Sequence, residues 1–171
     1  PKDYFTAISS VKYLLKYLIK NNDFKIEYTI VGYGILEKKI KDFIKLNGLN
    51  DVFKVVINPN NVSSYYENAD IFILTSLFEG TSNSVMEALA NALPVIATNV
   101  GDNKYLVQNN LNGYLEKIKD HKGIATSLYE LIKDSEKRTA YGMNSYKHIF
   151  DKYSTDKFEK RYLDFIQTYC N

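Results

Sequence analysis

LFEGTSNSVMEALANALPVIAT, residues 77–98, sets two glutamates, Glu79 and Glu87, with seven residues between them, around a run of small polar side chains. That run is Gly80, Thr81, Ser82, Asn83 and Ser84, and it opens onto an apolar helix expected over 84–92 and a short strand, PVIAT, at 94–98. Immediately upstream, DIFILT (70–75) is almost continuously apolar, as a strand covered on both faces requires. Strand, polar loop, helix and strand in this order make one repeat of an α/β layer.

The same alternation extends in both directions. Residues 3–21 carry Phe5, Ile8, Val11, Leu14, Leu15, Leu18 and Ile19 at helical spacing. KIEYTIVGYG (25–34) reads as a strand closed by a glycine turn, ILEKKIKDFIKLNG (35–48) as an amphipathic helix and VFKVVIN (52–58) as a strand. VSSYYENA (62–69) predicts a short helix with a Ser64/Glu67 capping box. Downstream come a short helix at 102–109, a strand at 112–117 and helices at 121–133, 136–150 and 155–169. The last presents Phe158, Tyr162, Phe165, Ile166 and Tyr169 on one face. The pattern predicts a single α/β domain over 1–171, a Rossmann-like parallel sheet with helices on both faces. In such sheets ligands sit beyond the carboxyl ends of the strands. The loops at those ends are GYG (32–34), NPNN (58–61), SLFEGTSN (76–83) and TNVGDN (98–103).

Chemistry concentrates in the opening stretch. The first amides of a helix lack intrahelical acceptors, and with the helix dipole they make an anion site. Gly80 allows close backbone approach, and the small side chains at 81–84 leave room for a phosphate. Simple capping by Asn83 or Ser84 accounts for the same residues. Ser84 and Glu87 also fit a capping box, while a carboxylate there could equally accept the two vicinal hydroxyls of a ribose. Glu79 has no helix end to cap. It suits sugar hydroxyls or positive charge developing at an anomeric carbon, and a solvated loop carboxylate is the plainer alternative. VGYG at 31–34 lacks the third glycine of a dinucleotide fingerprint.

Composition narrows the field. Net charge is +2, and only Arg138 and Arg161 among the 22 basic residues are arginine, which argues against nucleic-acid recognition. His121 and His148 stand alone, and Cys170 is the only cysteine, so no disulfide or cysteine-built metal site is expected. No apolar run approaches the ~20 residues of a membrane span, and the composition suits a reducing cytoplasm. Opening at Pro1 rather than Met predicts a piece of something longer.

Taken in order, IVGYG, YYENADIFILTSLFEGTSNSVMEALANALPVIATNVGDN and NGYL resemble the carboxyl-terminal, donor-binding domain of the GT-B retaining glycosyltransferases. The closest group includes capsule, O-antigen and mannosyl transferases. The resemblance implies half of a two-domain, metal-independent enzyme, with a UDP- or GDP-sugar as co-substrate and no cofactor. The acceptor domain would lie in the other half, as would any association with the inner face of the membrane. It implies that Glu79 contacts the donor sugar near the reacting carbon and that Thr81 and Ser82 amides bind sugar oxygens. Gly80 belongs to the same loop, the Asn83 and Ser84 amides take the diphosphate, and Glu87 takes the ribose. Gly32, Ile57, Asn58 and Pro59 would line the nucleoside pocket, and Lys2 would clamp the diphosphate.

This chain has Ala92 and Gly101-Asp102 where the family often has a glycine and a glycine pair. The family's first, central strand and its arginine would precede Pro1. The strands at 26–32 and 70–75 are therefore expected to pair directly, or to have their gap filled by another chain or a tag, and the isolated chain to be inactive. A sugar-nucleotide epimerase and a non-catalytic nucleotide- or partner-binding module are the alternatives.

Overall fold

The computed structural model describes residues 2–19 and 24–169. The expected helix end at 20–21, the side chain of Tyr169 and Cys170 lie outside the described residues. Helix α1 (Tyr4–Tyr13) continues as one π-helical stretch, Leu14–Leu18, before strand β1 (Tyr28–Val31). There follow α2 (Glu37–Leu46), β2 (Phe53–Val56), α3 (Ser63–Glu67), β3 (Phe72–Leu74), α4 (Asn83–Ala90) and β4 (Val95–Thr98). The remainder is α5 (Asn103–Leu106), β5 (Gly113–Glu116), α6 (His121–Lys133), α7 (Ser135–Tyr153) and α8 (Thr155–Tyr169).

All strand pairs are parallel. β4 is buried along its whole length between β3 and β5. Its side chains alternate between two cores: Ile96 packs with residues of α1 and α6, while Val95 and Ala97 pack with Val85, Ala88 and Leu89 of α4. β3 does the same, with Ile73 facing the first core and Leu74 the second. This alternation puts helices on both faces, as the apolar runs predicted.

The sheet is nevertheless divided. Among the described residues β1 pairs only with β2, and β3, β4 and β5 form a separate sheet. Between β1 and β3 runs an open groove of about 940 Å³ lined by residues 27–31 and 70–75. The expected direct pairing of these strands is therefore wrong. Val11 of α1, Leu14 of the π-helical stretch, and Leu128 and Ile132 of α6 also line the groove, and α1 packs extensively on α6. Both sheets pack on this shared apolar layer, with the groove open between their facing edges.

Two helix ends show how local sequence meets the fold. Past α2, the Gly48 amide donates to Lys45 O and the Leu49 amide to Ile44 O, with Gly48 at φ +66°. Past α4, the Ala92 amide donates to Leu89 O and the Leu93 amide to Ala88 O, with Ala92 at φ +54°. Both are Schellman motifs whose left-handed residue favours glycine. The left-handed conformation costs an alanine roughly 1–2 kcal/mol, partly offset by the larger unfolded-state entropy of glycine. Ala92→Gly is thus expected to raise stability by about 0.5–1 kcal/mol, or ~1–4 °C in Tm, on a thermal melt. A lower Tm would contradict this account of the turn.

Candidate functional site

Lys2 and Glu79, 77 positions apart, meet beyond the end of β3. Lys2 forms an isolated antiparallel bridge with Ser76, the Asp3 amide donates to Thr75 O at 2.6 Å, and the Asp3 carboxylate caps α1 through the Thr6 amide at 3.1 Å. From that anchored start Lys2 Nζ reaches Glu79 Oε1 at 2.5 Å. Ser76 Oγ donates to the same oxygen at 2.5 Å. Ser76 is fully buried and clasped by Thr98, whose hydroxyl accepts from the Ser76 amide and donates to its carbonyl. Burial works to raise the Glu79 carboxyl. The hydrogen bonds from Lys2 and Ser76, with the lysine charge, outweigh it and hold the carboxyl below the usual range. Glu79 is therefore ionised at neutral pH.

The loop after Glu79 is pinned to the start of α5. Gly101 sits at φ +51°, and a Cβ there would lie 2.2 Å from Glu79 O and 2.7 Å from Gly80 O. The Asp102 amide donates to Gly80 O at 3.1 Å, and Thr81 Oγ1 donates to Asp102 Oδ2. Asp102, at the start of α5, makes no side-chain capping bond and is used to hold the loop instead.

α4 begins one residue earlier than expected, with Ser82 as its N-cap and no side-chain capping bond. The capping readings of Asn83, Ser84 and Glu87 are thereby corrected. Ser84 Oγ lies 3.1 Å from Ser82 Oγ, and Glu87, past the first turn, accepts at Oε2 from the Tyr66 hydroxyl at 2.8 Å. The Ser64/Glu67 box is also not formed, because α3 starts at Ser63 with no side-chain capping bond from its N-cap, Val62. Among the described residues, the amides of Gly80, Thr81, Ser82, Asn83 and Ser84 have no acceptor. Five consecutive donors stand between two carboxylates that are each held by a named partner.

The remaining candidates lie at the other sheet. Gly32, at φ +152°, continues the ladder through its amide to Val56 O at 3.0 Å, with the Tyr4 hydroxyl beside it. Ile57, Asn58 and Pro59 follow β2, with Asn58 left-handed at φ +45°. α3, which follows them, reaches α4 through the bond from the Tyr66 hydroxyl to Glu87. Neither histidine reaches the loop: His121 packs on the Tyr13 ring and His148 bonds Tyr105 O. Sequence reasoning missed Tyr66, Ser76, Thr98, Gly101 and Asp102 as parts of this arrangement. Only Gly101-Asp102 carried a local signal, a glycine beside an acid in a loop at the carboxyl end of a strand. Among the described residues no cluster of His, Cys, Asp and Glu could hold a metal, and no helix is long and apolar enough to cross a membrane.

The family model described as Glycosyl transferases group 1 matches residues 2–148. Amylovoran biosynthesis glycosyltransferase AmsK of Erwinia amylovora is 34% identical over 122 residues, covering 67% of this chain and 30% of its own length. The carboxyl-terminal domain of LpcC, a group 1 family protein of Francisella tularensis, superposes with a TM-score of 0.74 at 28% identity. The match covers 90% of this chain and 80% of that one. A TarM mutant of S. aureus, solved with fondaparinux, alpha-GlcNAc-glycerol and UDP, superposes with a TM-score of 0.85 at 22% identity. That match covers 95% of this chain and 32% of TarM. The chain thus spans about a third of the longer proteins it is similar to.

Proposed function

The chain belongs to the glycosyl transferases group 1 family, and we propose that it is the donor-binding half of a retaining glycosyltransferase. The full enzyme would move a hexosyl-type sugar from a nucleotide diphosphate to a hydroxyl, in surface polysaccharide or glycolipid assembly. The acceptor hydroxyl oxygen bonds to the anomeric carbon as the bond from that carbon to the diphosphate oxygen breaks; the electron pair stays on the diphosphate oxygen, and the acceptor's proton is released with the nucleoside diphosphate. The Asn83 and Ser84 amides at the start of α4, with Lys2, stabilise that charge. The Thr81 and Ser82 amides and Glu79 hold the sugar, Glu87 accepts from the ribose hydroxyls, and Gly32 with 57–59 borders the base. An arriving diphosphate competes with Glu79 for Lys2, which turns the carboxylate toward the sugar.

The observation that carries this reading is the row of five amides without acceptors between Glu79 and Glu87. UDP in the TarM complex makes UDP the first donor nucleotide to try here. We further propose that a preceding acceptor domain completes the enzyme, and that an extended segment ahead of Lys2 occupies the groove between β1 and β3. Any contact with the cytoplasmic face of a membrane belongs to that other half. Alone, the 171-residue chain binds nucleotide weakly and transfers no sugar.

The test is amide NMR of the chain titrated with millimolar UDP, GDP and ADP, with Glu87→Gln in parallel. One nucleotide is expected to move the 80–87 amides selectively. Glu87→Gln should weaken it about tenfold, the scale of one charge-assisted hydrogen bond, without lowering Tm. A lower Tm with unchanged nucleotide binding would leave Glu87 a structural residue and defeat its assignment to the ribose.

A further inference from the structure

Tyr66 is bound at both ends. Its ring packs with the second core and lies 5.7 Å from the ring of Phe72, while its hydroxyl crosses to α4 and donates to Glu87 Oε2. Glu87 itself is exposed, on a side chain with large rotamer freedom. Apart from this bond nothing fixes its carboxylate among the described residues, and Oε1 has no partner there. α3, which carries Tyr66, starts four residues after Pro59. A single hydroxyl therefore links the helix that follows the 57–59 turn to the carboxylate beside the amide row. Burial and the neighbouring Glu87 both raise the Tyr66 hydroxyl far above its ordinary value, so it remains a donor at every pH the protein would meet.

We propose that Tyr66 is a positioning residue for ribose recognition, holding the Glu87 carboxylate so that its oxygens meet the vicinal hydroxyls already oriented. The proposal rests on the reading of Glu87 given above. A carboxylate has about four lone-pair sites, so one hydrogen bond from Tyr66 leaves capacity for both ribose hydroxyls. Fixing the side chain before the ligand arrives removes an ordering cost from binding. This role depends on a core-anchored ring, because a hydroxyl on a mobile side chain would transfer the ordering cost rather than remove it.

The experiment compares UDP with 2′-deoxy-UDP, and GDP with 2′-deoxy-GDP, by NMR titration of wild type, Tyr66→Phe and Glu87→Gln. Wild type is expected to prefer one ribonucleotide over its deoxy partner about tenfold. Tyr66→Phe should cut that preference to about two- or threefold by weakening the ribonucleotide alone, with Tm and the remaining amide spectrum unchanged. Glu87→Gln should abolish the preference. If Tyr66→Phe keeps the preference that Glu87→Gln removes, or weakens both partners equally, Tyr66 is only a structural tie and the proposal fails. Tighter ribonucleotide binding by Tyr66→Phe overturns it too, since the tyrosine would then be a competitor. No preference in wild type, or a preference that survives Glu87→Gln, overturns the ribose reading itself and the positioning role with it.

Discussion

A strand supplied ahead of Lys2 raises the melting temperature of this chain by about 10 °C or more. β1 and β3 each leave one edge of parallel backbone donors and acceptors along the groove between them, and unpaired edges are where another strand adds. Lys2 and Asp3 are tied antiparallel to Ser76 and Thr75 at the carboxyl end of that groove. A segment entering the groove parallel to β3 must therefore reverse before it reaches Lys2. An extension of about six β-branched residues followed by a short turn meets both conditions. It would make about eight ladder hydrogen bonds, which at roughly 0.5 kcal/mol net each give ~4 kcal/mol. For a chain of this size 1 kcal/mol moves Tm by about 2–4 °C. A control extension of consecutive prolines has no backbone N–H to donate to either edge and should leave Tm unchanged. Equal melting of the two extended chains would show that the groove does not accept a strand.

The division of the sheet also shows what was legible in the sequence. DIFILT and PVIAT announced two-sided burial, and β3 and β4 supply both cores as the runs implied. Periodicity reports which faces are buried, but not which edges meet. β1 and β3 instead face each other across a groove over an apolar layer that α1 and α6 build from residues over a hundred positions apart. The same division holds in the site. The polar run at 80–84 and its two glutamates are visible as a local pattern. Their supports are not: Lys2 meets Glu79 from the start of the chain, Tyr66 reaches Glu87 across 21 positions and Thr98 clasps Ser76 across 22. The capping boxes failed for a related reason. A four-residue pattern does not say where a helix starts, and α4 starts at Asn83, which carries Glu87 beyond the position from which it could bond back.

Gly101→Ala should weaken nucleotide binding by about a hundredfold while lowering Tm by about 5–10 °C. Two costs combine. At φ +51° an alanine is strained by roughly 1–2 kcal/mol, and its Cβ would lie 2.2 Å from Glu79 O. The atoms opposing the new methyl are the backbone of Glu79 and Gly80, not the end of a flexible side chain, so the loop itself must move. Moving it breaks the bond from the Asp102 amide to Gly80 O and strains the tie from Thr81 to Asp102. Every donor from Gly80 to Ser84 then leaves its place relative to Glu79 and Glu87. Gly48→Ala separates strain from displacement. Gly48 has φ +66° and nothing within 4 Å of an added Cβ, so it bears the left-handed cost alone, roughly 1–2 kcal/mol, at the end of α2. It should lose a few degrees in Tm and keep wild-type nucleotide affinity by the same NMR titration. If Gly101→Ala also keeps wild-type affinity, the amides pinned by the Gly101-Asp102 turn are not those that hold the ligand.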